Sequence, residues 1–132
     1  MSSALTGLSA TVTETVTEDM SAKNVGSGTV SVFSTPDLVL LLEKTALAAL
    51  SGKLKAGETT VGTALDLTHL AATPVGMKVT CTATVKAVEG RKLVFEVKAE
   101  DEREAIAAGT HTRFVVDVEK FQLRADAKLS VD

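Results

Sequence analysis

The stretch STPDLVLLLEKTALAAL, residues 34–50, opens on a Ser-Thr-Pro helix start, runs through the apolar residues Leu38 to Leu42 and then places an acid, Glu43, among them. Ser34 or Thr35 can cap a helix whose first position is Pro36, where the missing N–H does no harm, and Asp37 suits the positive first turn. Gly52 closes the helix. At about 100° per residue the apolar positions between Leu38 and Leu50 cover nearly the whole circumference, so burial on most sides is expected. A carboxylate left unpaired in such surroundings costs several kcal/mol. Glu43 therefore needs either a Lys or backbone donor, or a role as a base or nucleophile in a desolvated pocket.

The rest of the chain sets the frame for that helix. Its 132 residues fit one domain, 1–132, and a net charge of −3 gives no basic excess for nucleic acid or an anionic membrane. Hydrophobic content is 45%, which argues against disorder. The start MSSALTGLSA carries neither a charged n-region nor an apolar h-region, and the run Leu38–Leu42 is far below the roughly 18 to 20 residues of a membrane span. The single Cys81 has no disulfide partner and no metal-ligand spacing around it, so a soluble, cytoplasmic protein without a bound metal is expected.

Strand patterns surround the helix. SATVTETVTE suits a first strand, and NVGSGTVSVF reads as a Gly/Ser loop. Met77, Val79, Cys81, Ala83, Val85 and Ala87 alternate with polar residues, and Leu93, Phe95, Val97 and Ala99 do the same, with Gly90 turning between them as a hairpin. In the last strand Phe114, Val116 and Val118 are expected inward and Arg113, Asp117 and Glu119 outward, with His111 on the polar, surface side. In VGTALDLTHLAA the residues Val61, Leu65, Leu67 and His69 share one face, and Gly62 and Asp66 the other. The order is strand, long helix, then four strands in meander-like succession. An α+β domain follows, a five-stranded antiparallel sheet curling around one helix, with a second subunit covering what the sheet leaves bare.

The strings STPDLVLLLE, VGTALDLTHLAATPVGMKV, VEGRKLVFEVKAED and GTHTRFVVDVEKF together resemble the hot-dog-fold acyl-CoA thioesterases of the fluoroacetyl-CoA thioesterase type. The specific part is a Thr before the helix, an acid eight residues on, and a His ending a G-T-x-x-x-x-T-H strand, which fall on Thr35, Glu43 and His69. The resemblance implies that these three form a catalytic triad, that the fold is the hot-dog fold, and that the protein is a homodimer or dimer of dimers with sites at the interface. It also implies an acyl-CoA substrate, with CoA present only as part of that substrate and no separate cofactor. The chain departs from the fluoroacetyl specialist ahead of Thr35, where GSGTVSVF replaces bulky aromatics, and it holds no Tyr or Trp.

Thioester hydrolysis needs a nucleophile, a proton acceptor and donors for the developing oxyanion. Thr35 is expected to attack or to orient water, His69 to take the proton, and Glu43 to orient His69 or activate water. Taken alone, Thr35 is an ordinary N-cap and His69 an ordinary core histidine. Gly62 allows close approach of a ligand, though a plain bulge explains it equally. Pro36 at the helix start and Arg113 are further substrate-side candidates, Arg113 as a solvated charge or an edge contact to the pantetheine-nucleotide arm. Arg91, Lys92 and Lys98 are candidates for the CoA phosphates. The competing reading is a hot-dog protein that binds an acyl-CoA or another nucleotide-bearing ligand without hydrolysing it.

Overall fold

The computed structural model describes residues 2–130. In chain order it runs β1 (Ser9–Thr15), α1 (Ala22–Val25), α2 (Thr35–Ala49), β2 (Glu58–His69), β3 (Lys78–Glu89), β4 (Lys92–Asp101), β5 (Ala105–Asp117) and α3 (Val118–Asp126), with short 3-10 turns between and beyond. The five strands form one antiparallel sheet in the order β1-β3-β4-β5-β2. The meander thus covers β3 to β5 only. Strand β2 lies beyond β5 and forms one edge of the sheet.

Helix α2 starts at Thr35, one residue before the expected first position Pro36. Ser34 is the N-cap, its Oγ accepting from the Asp37 N–H at 3.1 Å, and Pro36 sits in the first turn. Leu38, Leu41, Leu42, Ala46 and Ala49 are buried, and Thr45 among them satisfies its hydroxyl on the Leu41 carbonyl at 2.7 Å. This face rests mainly on β1 and β3, with lighter contact to β4 and β2. Within one chain the helix is not buried nearly all round. Leu40 and Leu47 are 46% and 44% exposed, and Glu43, between them on the same stripe, has a side chain 39% exposed.

The alternation read from β3 and β4 holds for Val79, Cys81, Ala83 and Val85 and for Leu93, Phe95, Val97 and Ala99, all buried. Burial pushes the Cys81 thiol up to about 12, which leaves it unreactive. A register shift after Val85 turns Ala87 away, and Val88 packs on the core in its place. The β3–β4 hairpin closes on Gly90 at φ 62°, followed by Arg91 at an ordinary negative φ, as a two-residue turn of the II′ kind requires.

Strand β5 reverses the expected faces. His111, Arg113 and Val115 are buried, Phe114 is 37% exposed, and Val118 begins α3, capped by Asp117, whose carboxylate accepts from the Lys120 N–H at 3.0 Å. A polar pair can occupy the inner face because its members satisfy each other, so hydrophobicity alone assigned the wrong parity. Strand β2 changes face as well. Its register to β5 shifts between Gly62 and Ala64, leaving Thr63 as a bulge. Thr60 and Gly62 before the bulge, and Leu65, Leu67 and His69 after it, therefore all look toward the helix side, while Val61 looks away.

Gly109 of β5 is hemmed in by β2: an added Cβ would strike the Asp66 carbonyl and come within 2.9 Å of the Leu67 Cα. Gly109→Ala should therefore destabilise the protein by about 1–3 kcal/mol. Thermal melting followed by circular dichroism checks this, and an unchanged midpoint would show that β2 yields at no cost.

Candidate active site

Because Ser34 caps α2, Thr35 is released from that duty. It stands at the first helical position with its hydroxyl exposed, and Thr35 Oγ1 lies 2.7 Å from His69 Nδ1. The last residue of β2 and the first residue of α2 thus meet. The Asp37 N–H goes to Ser34 Oγ, the Leu38 N–H goes to the Ser34 carbonyl at 3.0 Å, and Pro36 has none. Among the described residues the Thr35 N–H is the donor of this first turn left without an acceptor. It points out of a helix N-terminus, whose dipole favours negative charge. Pro36 is exposed beside it.

The pair borders a cleft of about 290 Å³ whose walls include Phe33, Ser34, Thr35, His69, Ala71 and Ala72. A smaller cavity of about 130 Å³ also borders Phe33 but reaches neither Thr35 nor His69. Burial presses His69 below its ordinary value; the Ala71 backbone opposes this by less, without completing a hydrogen bond to Nε2. That Nε2 is buried without a partner among the described residues. If Nδ1 accepts from the Thr35 hydroxyl, Nε2 carries the proton and still needs an acceptor.

Glu43 sits elsewhere, two turns along α2. Its Oε2 is 3.7 Å from an Arg113 Nη1 that is almost wholly buried, and it occupies the space over Gly62, where an added Cβ would fall 2.8 Å from the carboxylate oxygen. Its partner within the chain is therefore Arg113. Arg113 is neither solvated nor at an edge: Nε donates to Thr60 Oγ1 at 2.8 Å, Nη2 to the Thr60 carbonyl at 3.0 Å, and Nη1 meets His111 Nε2 at 3.1 Å. Burial lowers Arg113 below its ordinary value, with Glu43 opposing. Arg91 is likewise engaged, donating to Glu58 Oε2 at 2.9 Å and to the Val115 carbonyl at 3.0 Å.

Sequence reasoning placed His111 at the surface and passed over Thr60. The available signal was parity with Val115, two and four residues beyond Arg113 and His111, against the pull of Phe114 and Val116 the other way.

A sheet curled around one helix, with a polar cluster between strand end and helix start, is the hot-dog architecture of thioesterases. A hot-dog-like protein from Thermanaerovibrio acidaminovorans superimposes with a TM-score of 0.89 at 26% identity, covering 98% of this chain and 97% of that one. Residues 16–119 match the family described as fluoroacetyl-CoA-specific thioesterase. The fluoroacetyl-CoA thioesterase of Streptantibioticus cattleyicolor is 43% identical over 97 residues, 74% of this chain and 70% of that protein. A crystal structure of a point mutant of the fluoroacetyl-CoA-specific thioesterase in complex with fluoroacetate and CoA matches with a TM-score of 0.83 at 36% identity, covering 88% and 98% of the two chains. The chain belongs to the fluoroacetyl-CoA-specific thioesterase family.

The division of labour between Ser34 and Thr35 is open to measurement. In a His69→Ala background, which removes the bond between the two side chains, Ser34→Ala should cost about 1 kcal/mol through the lost cap, whereas Thr35→Ala, whose side chain caps nothing, should stay within about 0.5 kcal/mol of that background. Urea unfolding of the two variants tests this. Equal losses would mean that Thr35 supports the helix after all.

Proposed function

We propose that this chain hydrolyses a small acyl-CoA thioester to the free acid and CoA, using Thr35, His69 and Glu43 at sites shared by two subunits. The observation that carries the reading is the 2.7 Å contact between Thr35 Oγ1 and His69 Nδ1 on an open cleft at a helix N-terminus, in a chain of this family.

In the proposed reaction, neutral His69 accepts the Thr35 proton at Nδ1 as Oγ1, or a water that Thr35 orients, attacks the thioester carbonyl. Negative charge develops on the carbonyl oxygen near the Thr35 N–H and the helix dipole. His69 returns the proton to the departing CoA sulfur. Where Oγ1 has attacked, water then cleaves the acyl–Oγ1 ester, His69 taking the water proton and returning it to Oγ1 as the acid leaves; Glu43 acts on the His69 Nε2 side or on that water. CoA takes part only as a portion of the substrate.

Glu43 reaches that place from a second subunit. Eight residues of α2 separate it from Thr35, about 12 Å along the axis and roughly 80° around it. Strand β2 is a sheet edge, free to pair with a second β2. With Thr63 bulged out of the count, antiparallel pairing about a two-fold axis at Asp66 sets His69 of one chain opposite Gly62 of the other, and with Gly62 comes Glu43. The same contact covers Leu40 and Leu47.

Thiol release across acyl-CoA chain lengths is the direct test, and His69→Ala should lower kcat/KM by about 10²-fold or more. Failure of every acyl-CoA in the panel would favour the non-hydrolytic binding reading. The pH profile carries a sign. Base catalysis needs neutral His69, burial lowers its pKa, and the acid limb of kcat/KM should therefore fall below about pH 6.5, the ordinary histidine value. Mixing Thr35→Ala with Glu43→Ala protein should restore one intact site per heterodimer; no rescue after confirmed subunit exchange would refute the shared site.

A further inference from the structure

The Glu43 carboxylate ends a flexible side chain that is 39% exposed, yet the group beneath it is among the most constrained in the molecule. Arg113 is 5% exposed, His111 is 2% exposed and Thr60 is 4% exposed. Three of the guanidinium's contacts come from these neighbours: Thr60 Oγ1 on Nε, the Thr60 carbonyl on Nη2 and His111 Nε2 on Nη1.

The state of His111 follows from its two partners. A backbone carbonyl only accepts, so Nδ1, 2.9 Å from the Ala64 carbonyl, carries the ring proton. A guanidinium only donates, so Nε2, 3.1 Å from Arg113 Nη1, is a bare lone pair. His111 is therefore neutral and fixed in one tautomer, and its ring packs against Phe95 with centroids 6.2 Å apart. Burial is the largest influence and disfavours the imidazolium; the Ala64 carbonyl opposes it next, the Arg113 charge adds to burial by less, and Glu43 opposes by least.

Gly62 completes the arrangement. An added Cβ there would lie 2.8 Å from Glu43 Oε2, 3.1 Å from His111 Cε1 and 3.2 Å from Arg113 Nη1. The absent methyl is the opening through which carboxylate and guanidinium face each other.

We propose that His111 and Thr60 are positioning residues for thioester hydrolysis: they clamp the Arg113 guanidinium from below, and through it they fix the direction of the Glu43 carboxylate. This rests on Glu43 having the part in hydrolysis proposed above. Neither residue touches the substrate. His111 supplies an acceptor that a charged or alternatively protonated ring would withdraw, and Thr60 supplies one acceptor from its side chain and one from its backbone.

The test separates the two ring nitrogens. Asn at 111 imitates Nδ1 and keeps the bond to Ala64 but cannot reach Arg113, whereas Gln carries an acceptor to the Nε2 position. A hydrogen bond to a charged group corresponds to about one to two orders of magnitude in rate. In thiol-release assays His111→Asn should thus lower kcat about tenfold or more, with KM within about threefold. His111→Gln should recover kcat to within about threefold of the parent. Thr60→Val, nearly isosteric, should show the same loss confined to kcat, and it serves if the Asn variant does not fold. No loss in the folded Asn and Val variants, or equal loss in Asn and Gln, overturns the proposal.

Nitrogen NMR of the parent protein at neutral pH supplies a readout independent of turnover. A bare Nε2 on His111, together with a change at the Glu43 carboxyl carbon in the Asn variant, supports the clamp; a protonated Nε2, or a Glu43 signal indifferent to residue 111, overturns it. A parent protein inactive on every acyl-CoA would refute the hydrolytic reading and leave the clamp to be decided by these spectra.

Discussion

His69 lies seven positions beyond Gly62, an odd offset, so on a regular strand the two would face opposite sides of the sheet. The bulge at Thr63 removes that conflict. With one residue taken out of register, β2 presents both Gly62 and His69 to the side that carries α2, and one strand serves both polar clusters of the chain. One cluster lies at the helix start, where His69 meets Thr35; the other lies two turns on, where Gly62 leaves room for Glu43 above Arg113. Without the bulge, one of the two would look into solvent on the outer face.

The helix reinforces this arrangement by dividing two tasks between adjacent residues. Ser34 is buried and provides the cap, so the neighbouring Thr35 hydroxyl is free to bond to an imidazole and its N–H has no acceptor among the described residues. Leu38, Leu42 and Ala46 anchor one side of α2 on the sheet, while Leu40, Glu43 and Leu47 form a stripe on the opposite side. Apolar flanks around a carboxylate suit a surface that a second chain covers, because the flanks gain from burial and the acid already has a cation at its base.

That cation is the costliest feature of the inner sheet face. A guanidinium with 5% exposure is tolerated because Thr60 and His111 accept from it and Glu43 lies close enough to balance its charge. The cluster belongs to the half of the sheet that α2 covers least, between β5 and the edge strand β2. Here the inner face is polar and constrained, whereas beneath the helix it is apolar and closely packed. Members of the family share the frame, and the small side chains of Ala71 and Ala72 leave the Thr35–His69 cleft open in this chain.

The linear sequence carried the long helix and its start, the buried stripes of β3 and β4, and the β3–β4 hairpin. These are local signals: capping chemistry, period-two alternation and spacing along one element. The tertiary structure decided the rest. Ser34 rather than Thr35 became the cap because backbone geometry selects which hydroxyl meets the Asp37 N–H. His111 and Arg113 turned inward, displacing Phe114, because their polar groups satisfy one another across β2 and β5, and no hydropathy pattern records a partner that lies about fifty residues away in sequence. Within the chain Glu43 meets Arg113, because α2 rises about 1.5 Å per residue and carries residue 43 two turns beyond Thr35 and its contact His69. A sequence specifies which groups are available and how often they recur along an element; only packing determines which face each one takes and what it touches.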